Sequence, residues 1–560
     1  MLDFAIQTAA RFGRDVNLSC VIASTAGLLS HHLYFIRGNH TSNARDIIGA
    51  HLVGLGLLLY KTSSAAGTLS QGLPVCAAVS SAYLAALFAS IGIYRVFFHP
   101  LRHVPGPFAL KVTQLYMPWL GRDGQLHKRF LRLHEEYGDF VRVGPNSVAI
   151  LHQDALMAIH GPRSKCSKGG MGFYESLHYK GVYNLDSITD KQQHRDRRTI
   201  WDKALSAEAL RGYEPATRKV VRSWLGRLDE LGRLPVDTSH YATLIGFDNM
   251  GRIGFSTDFG TVREGREDSM LELLEITFGT AAALGHVYWP VALMMNMPKF
   301  GMQKEFEQLG VDMADGRLRD NSEDKHDMLK YFLADLGSEK PRSIVNMTTV
   351  YADSLGILVA ATDTVACVLS LVFYHLARDP ALRQRLFEEV APLYGKTLPD
   401  EFVVSDLDTV SLFEGILNEA MRLNAPVPIG GPRSPPPEGL TIAGTFFPAG
   451  TILYTPTQAY HSSERYFVRP HEFIPERWTT RPELVLDKRA FFPFHMGRYD
   501  CVGKKLAKNV IRMSIAYTIF NYDFEFAPGE DGMRFRNEEH WNLIVKQARL
   551  DCVFTRRGQV

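Results

Sequence analysis

The stretch PFHMGRYDCVGKKLA, residues 493–507, decides how this chain is read. Cys501 stands in a loop between Gly497 and Gly503, and a helical pattern, KKLAKNVIRMSIAYTIF, follows. Glycines permit tight turns and close approach of the backbone to a flat ligand. A thiolate at a helix N-terminus is stabilised by the helix dipole. A cysteine that holds a metal in an apolar pocket has these needs; the competing reading is a buried structural cysteine, the default for a lone one. Cys20, Cys76, Cys166, Cys367 and Cys552 are scattered with no C-x-x-C spacing, which argues against zinc ribbons and thioredoxin-like pairs and suits a reducing compartment.

Three segments upstream carry further chemistry. Glu419 and Arg422 in EAMR are three apart and so are neighbours on a helix; alone, such a pair is usually a solvated bridge worth little. FIPERW, residues 473–478, adds Arg477, whose planar guanidinium suits bidentate pairing with a carboxylate. SLGILVAATDTVACVLSLVFYHL, residues 354–376, has the apolarity of a membrane span but carries Asp363 and Thr364 at its middle. A charge at the bilayer centre costs about 2.5–3.5 kcal/mol. An all-round apolar helix equally suits the centre of a large protein, and amphipathic, normally charged sequence on both sides favours that reading. There, a carboxylate beside a hydroxyl can relay protons through water; a threonine bonded to its own helix is the alternative.

In this order, the segments resemble the cytochrome P450 family. The cysteine loop is similar to F-x-x-G-x-R-x-C-x-G, with Phe494, Gly497, Cys501 and Gly503 matching; Tyr499 stands where the family has arginine, with Arg498 one place earlier. E-x-x-R is matched by Glu419 and Arg422, P-E-R-F by the segment holding Arg477, and A/G-G-x-D/E-T by residues 360–364, with Ala361 for the glycine. The resemblance spans residues 95–555, and the linker before the body looks like that of fungal membrane-anchored members. It implies a mainly α fold with a small β-rich lobe, and haem b between the helix around Asp363 and the loop around Cys501, its iron ligand. Glu419, Arg422 and Arg477 become a structural triad that touches no substrate. His194 and Arg198, four apart in KQQHRDRRTIW (191–201), and Arg433 after PVPIGGP resemble contacts to the haem propionates, where Tyr499 can only hydrogen-bond.

The implied reaction is oxygen insertion, RH + O2 + two electrons + two protons giving ROH + H2O, with Asp363 and Thr364 delivering protons. No flavin or nicotinamide domain follows Cys501, so the expected partner is a separate NADPH–cytochrome P450 reductase, with cytochrome b5 as a further donor. Cavity walls are expected near 171–186, 285–297, 352–364, 426–432 and the C-terminal hairpin near Trp541. Phe173, Tyr174, Tyr183, Trp289 and Val427 among them favour an apolar substrate; analogy suggests a secondary metabolite such as a terpenoid, polyketide or alkaloid. Two alternatives stand beside this reading. A haem-thiolate isomerase or dehydratase would need no reductase, and the Asp363–Thr364 pair argues against it. A non-enzymatic multi-span membrane protein would bind no haem and send residues 354–376 across the bilayer.

Three apolar stretches precede the body: 16–36, 47–60 (short) and 74–94. Three spans are expected; one anchor with two interfacial helices is the alternative. Arg37 and Arg45 fall in the first loop, Arg95, Arg102 and Lys111 after the third stretch, and only Lys61 in the second loop. The positive-inside rule then puts the body in the cytosol at the endoplasmic reticulum, the N-terminus in the lumen and the Asn39 sequon unglycosylated. The expected organisation is an anchor at 1–98, a proline-rich hinge at 99–110 and a catalytic domain at 111–560. Helices are expected over 125–137, 205–231, 267–284 and 376–395, short strands at 140–150 and 440–454, and a solvated loop at 318–328. The 560 residues carry a net charge of +2, which offers no case for nucleic acid as a partner.

Overall fold

The computed structural model describes residues 2–558 apart from 39, 42, 169–173, 175–177, 267–268, 275, 277–286, 296–300, 321–324 and 543. At its heart lies the helix Met347–Arg378, capped by Asn346, whose side chain accepts from the Thr349 amide. It is buried over most of its length, as a helix without a polar face requires. The helices Thr238–Phe255, Met302–Arg319, Ser411–Leu423 and Lys504–Asn521 pack around it. One close crossing is at Gly246, where a Cβ would stand 2.8 Å from the Thr362 carbonyl oxygen.

The helix expected over 376–395 is split. The central helix ends at Arg378, and Asp379 caps a new helix, Pro380–Val390, because proline at the first helical position has no donor to lose. The expected helices at 125–137 and 205–231 appear as Leu126–Tyr137 and Ala207–Leu231; that at 267–284 lies largely outside the described residues. The run 318–328 is not all solvated. Asp327 is fully buried, paired with Arg317 and accepting from Ser256, a partnering that a buried carboxylate needs.

The β structure is small and peripheral. Phe140–Gly144 pairs antiparallel with Ser147–Ile150, which pairs parallel with Ile452–Tyr454. Leu440–Ile442 and Thr445–Phe447 form a hairpin, and Tyr522–Phe526 and Val236–Asp237 flank Asp551–Arg556.

Before the body stand Leu2–Ser30, Ala44–Ala66 and Leu69–Ile93, the third packed against both others. Asp15–Phe35, Ala44–Ala66 and Leu69–Phe98 are each long and apolar enough to cross a membrane. The second helix is longer than its apolar run 47–60, and the third starts before Pro74, capped by Thr68. Small residues let the backbones touch: a Cβ at Gly27 would stand 2.4 Å from the Tyr83 carbonyl oxygen. The segment expected as a hinge is fastened to the body. Leu101 and Val104 are buried, the Arg142 amide donates to Pro105 O at 2.7 Å, and His99 Nε2 lies 2.7 Å from Asn146 Oδ1.

Candidate active site

The cysteine loop is folded back on itself by the Cys501 amide, which donates to Phe494 O at 2.8 Å. Gly497 sits at φ +70°, and a Cβ there would fall 2.0 Å from the His160 carbonyl oxygen, so only glycine fits. Gly503 caps the helix Lys504–Asn521. Cys501 is exposed and lines the main cavity. Burial pushes its thiol up, while the Gly503 amide and Arg198 pull the other way.

Behind the loop, Glu419 is fully buried and accepts five hydrogen bonds. Arg422 donates from Nε at 2.9 Å and Nη2 at 2.8 Å, Arg477 from Nε at 2.9 Å, Trp478 from Nε1 at 2.9 Å and the Ile474 amide at 3.0 Å. Arg422 also donates to the carbonyls of His461 and Pro470. The network is saturated, which is what makes buried charges tolerable. None of the three expected residues lines the cavity. Trp478 is a partner that sequence reading passed over.

The cavity, of about 740 Å³, is bounded on one side by Ala360, Ala361, Thr364 and Val365 of the central helix and on another by Phe494, Cys501 and Val502. Tyr288, Val291, Leu355, Val427 and Ile429 extend it as an apolar chamber; the hydroxyls of Tyr288 and Tyr454 meet at its wall. Tyr183 and Trp289, expected here, are not among its lining residues, and the C-terminal hairpin near Trp541 contributes Ile544, as expected. Phe173 is outside the described residues. Thr364 donates to Ala360 O at 2.8 Å, within its own helix. Asp363 faces elsewhere, onto a separate cavity of about 200 Å³ with Ser239, His240, Thr243 and Gln547; successive helical positions are about 100° apart.

One end of the main cavity is polar. Lys168, Tyr174, Asp186, His194, Arg198, Arg433, His495 and Tyr499 meet there. His194 Nδ1, Arg433 Nε, Tyr499 OH and both ring nitrogens of His495 are buried without a hydrogen-bond partner among the described residues. Burial, with Lys168 and Arg198 nearby, holds His194 at about 3; burial, Arg433 and Lys168 do the same to His495. Tyr174 was expected at the cavity wall; Lys168, Asp186 and His495 were not singled out from sequence. His495 lies inside the decisive stretch and was legible there; Lys168 arrives only through tertiary pairing.

A thiol, apolar walls and a cluster of buried, unmatched donors at one end fit haem, a flat apolar ring with two carboxylates. Unpaired buried donors are costly, and two propionates would satisfy them.

The family model described as Cytochrome P450 matches residues 105–552. The chain is 32% identical to tryprostatin B 6-hydroxylase of Neosartorya fischeri, covering 96% of this chain and 99% of that protein. It is 33% identical to cytochrome P450 monooxygenase orf5 of Eupenicillium brefeldianum, covering 85% and 96%. Its fold is similar to the crystal structure of the cytochrome P450DA heme domain, with a TM-score of 0.65 at 16% identity, over 78% of this chain and 94% of that one.

Proposed function

Because this chain belongs to the cytochrome P450 family of haem-dependent monooxygenases, we propose that Cys501 is the haem-iron ligand and that the chamber beyond it admits an apolar secondary metabolite. The observation that carries this reading is the position of the Cys501 side chain, on one cavity with Thr364 and the cluster of unmatched donors. Bound haem supplies dioxygen activation and insertion of one oxygen atom into a C–H bond. The other oxygen leaves as water, so each turnover takes two electrons and two protons.

The chain's own residues do the rest. His194, Arg433 and Tyr499 hold the propionates through donors that are otherwise unmatched. Phe494 and Val502 shield the thiolate from water. Thr364 lines the cavity, and its hydroxyl supplies a proton there on turning from the Ala360 carbonyl. Asp363 holds a carboxylate on the other side and passes protons from the polar cavity around it. Glu419, Arg422 and Arg477 brace the segment behind the loop.

Electrons come from a redox partner; here that partner is a membrane-bound NADPH–cytochrome P450 reductase, assisted by cytochrome b5. The three N-terminal helices anchor the enzyme in the endoplasmic reticulum with its body in the cytosol, and Phe108, Leu115 and Trp119, all exposed just past them, suit the membrane surface. Similarity to a hydroxylase named for tryprostatin B supports hydroxylation of a secondary metabolite. The reduced carbon-monoxide difference spectrum of detergent-solubilised protein tests the central claim. A Soret band at the position characteristic of thiolate-ligated haem supports it; well-folded protein without haem would overturn it.

A further inference from the structure

We propose that Lys168, opposite Arg433, supplies the propionate-binding charge that the cysteine loop lacks at Tyr499; this rests on the haem reading above. The backbone sets the pairing. Ser167 and Ser434 form an isolated antiparallel bridge, each amide donating to the other's carbonyl at 3.1 and 3.0 Å. One residue further, that register puts Lys168 across from Arg433. Both are buried, and both lie 5.1 Å from the centre of the Tyr499 ring.

Like charges directly opposite on paired strands repel, and burial makes an unmatched charge costly. A single carboxylate, Asp186, answers the pair: Lys168 Nζ is 3.2 Å from its Oδ1 and 2.6 Å from its carbonyl oxygen. Arg433 meets no carboxylate among the described residues. Its Nη1 donates to Tyr174 OH and Pro432 O, and its Nε has no partner. The other basic residues expected at the propionates are weaker sources of charge. Arg198 already faces two carboxylates, Asp202 and Asp500, where Lys168 faces one, and burial with Lys168 and Arg198 nearby holds His194 well below its ordinary value. Lys168 and Arg433 therefore carry a local excess of positive charge on the cavity, beside the tyrosine that replaces the loop's arginine.

The test is haem retention by the full-length protein in detergent, read as haem-to-protein ratio and as the rate of haem transfer to apomyoglobin. Lys168→Met is expected to lose haem at least about 10-fold faster, the scale of one lost charge-assisted hydrogen bond. Adding Tyr499→Arg to that variant should restore retention, and Lys168→Arg should hold haem like the wild type. Asp186→Asn should not speed haem loss, because it removes a competing anion. Should Lys168→Met fail to fold, Lys168→Gln carries the same comparison. Wild-type retention in the methionine or glutamine variant would overturn the assignment. So would equal loss in Asp186→Asn with no rescue by Tyr499→Arg, which would make Lys168 a loop-holding residue. A folded wild type that takes up no haem would overturn the haem reading itself.

Discussion

Asp363 and Thr364 are consecutive in the chain yet open onto different cavities: Thr364 onto the large chamber that holds Cys501, Asp363 onto a small polar one on the other side of the central helix. The helix itself is the partition between them. In the proposed relay, protons that start at the carboxylate cross by way of the threonine hydroxyl, which donates to the Ala360 carbonyl in this structure. That relay calls for the hydroxyl to turn from its own helix toward the chamber.

Thr364→Ala should keep haem and its spectrum but divert reducing equivalents to peroxide or water, with product per NADPH falling about 10-fold or more. Unchanged coupling would show that the hydroxyl only bonds its own helix. Asp363→Asn should instead slow turnover, by roughly 10²-fold, and raise the solvent isotope effect, because it acts on supply from the polar side.

Cys501→Ala should abolish the thiolate spectrum and activity together. The fold should survive, since Cys501 makes one backbone bond through its amide and its side chain faces the cavity.

Arg477→Ala should destabilise the protein by about 3–5 kcal/mol, because it leaves a fully buried carboxylate short of a cation. Trp478→Phe removes one neutral donor from the same carboxylate and should cost about 1–3 kcal/mol. Thermal unfolding followed by circular dichroism separates the two; a smaller effect for the arginine than for the tryptophan would contradict the network's role.

Stability should fall as pH drops below about 6.5. Burial holds His461 at about 3 and His375 well below its ordinary value, so the folded state keeps both neutral while the unfolded state protonates them. The unfolded state then binds more protons, and each histidine removes up to about 1.4 kcal/mol per pH unit over that window. His375→Phe, which preserves the stack on Phe473, should flatten the dependence measured by denaturant titration at pH 7 and pH 5.

With three spans, a glycosylation sequon placed before residue 15 should be modified in microsomes, while Asn39 should not. Asn39 itself lies outside the described residues. The reverse pattern would invert the proposed topology.

Much of this was written in the sequence because it is local. The glycines around Cys501, the run of apolar residues about Asp363 and the three-residue spacing of Glu419 and Arg422 each encode a conformation within a few residues of chain. So do the apolar N-terminal stretches, whose length alone speaks of a membrane. The split at Asp379–Pro380 was equally local, a proline boundary hidden by apolar residues that continue on both sides.

What the sequence by itself determined is the chemistry available: a cysteine poised for a metal, an acid–alcohol pair, a carboxylate with two guanidinium partners. What only the tertiary structure decided is which groups share a space. Asp363 was separated from Thr364 by the turn of the helix, and Asp327 was drawn from a charged run into the core by Arg317. Lys168 met Arg433 across a gap of more than 250 residues through one pair of backbone hydrogen bonds. Such long-range pairings depend on how distant segments pack, and no periodicity or spacing along the chain records them.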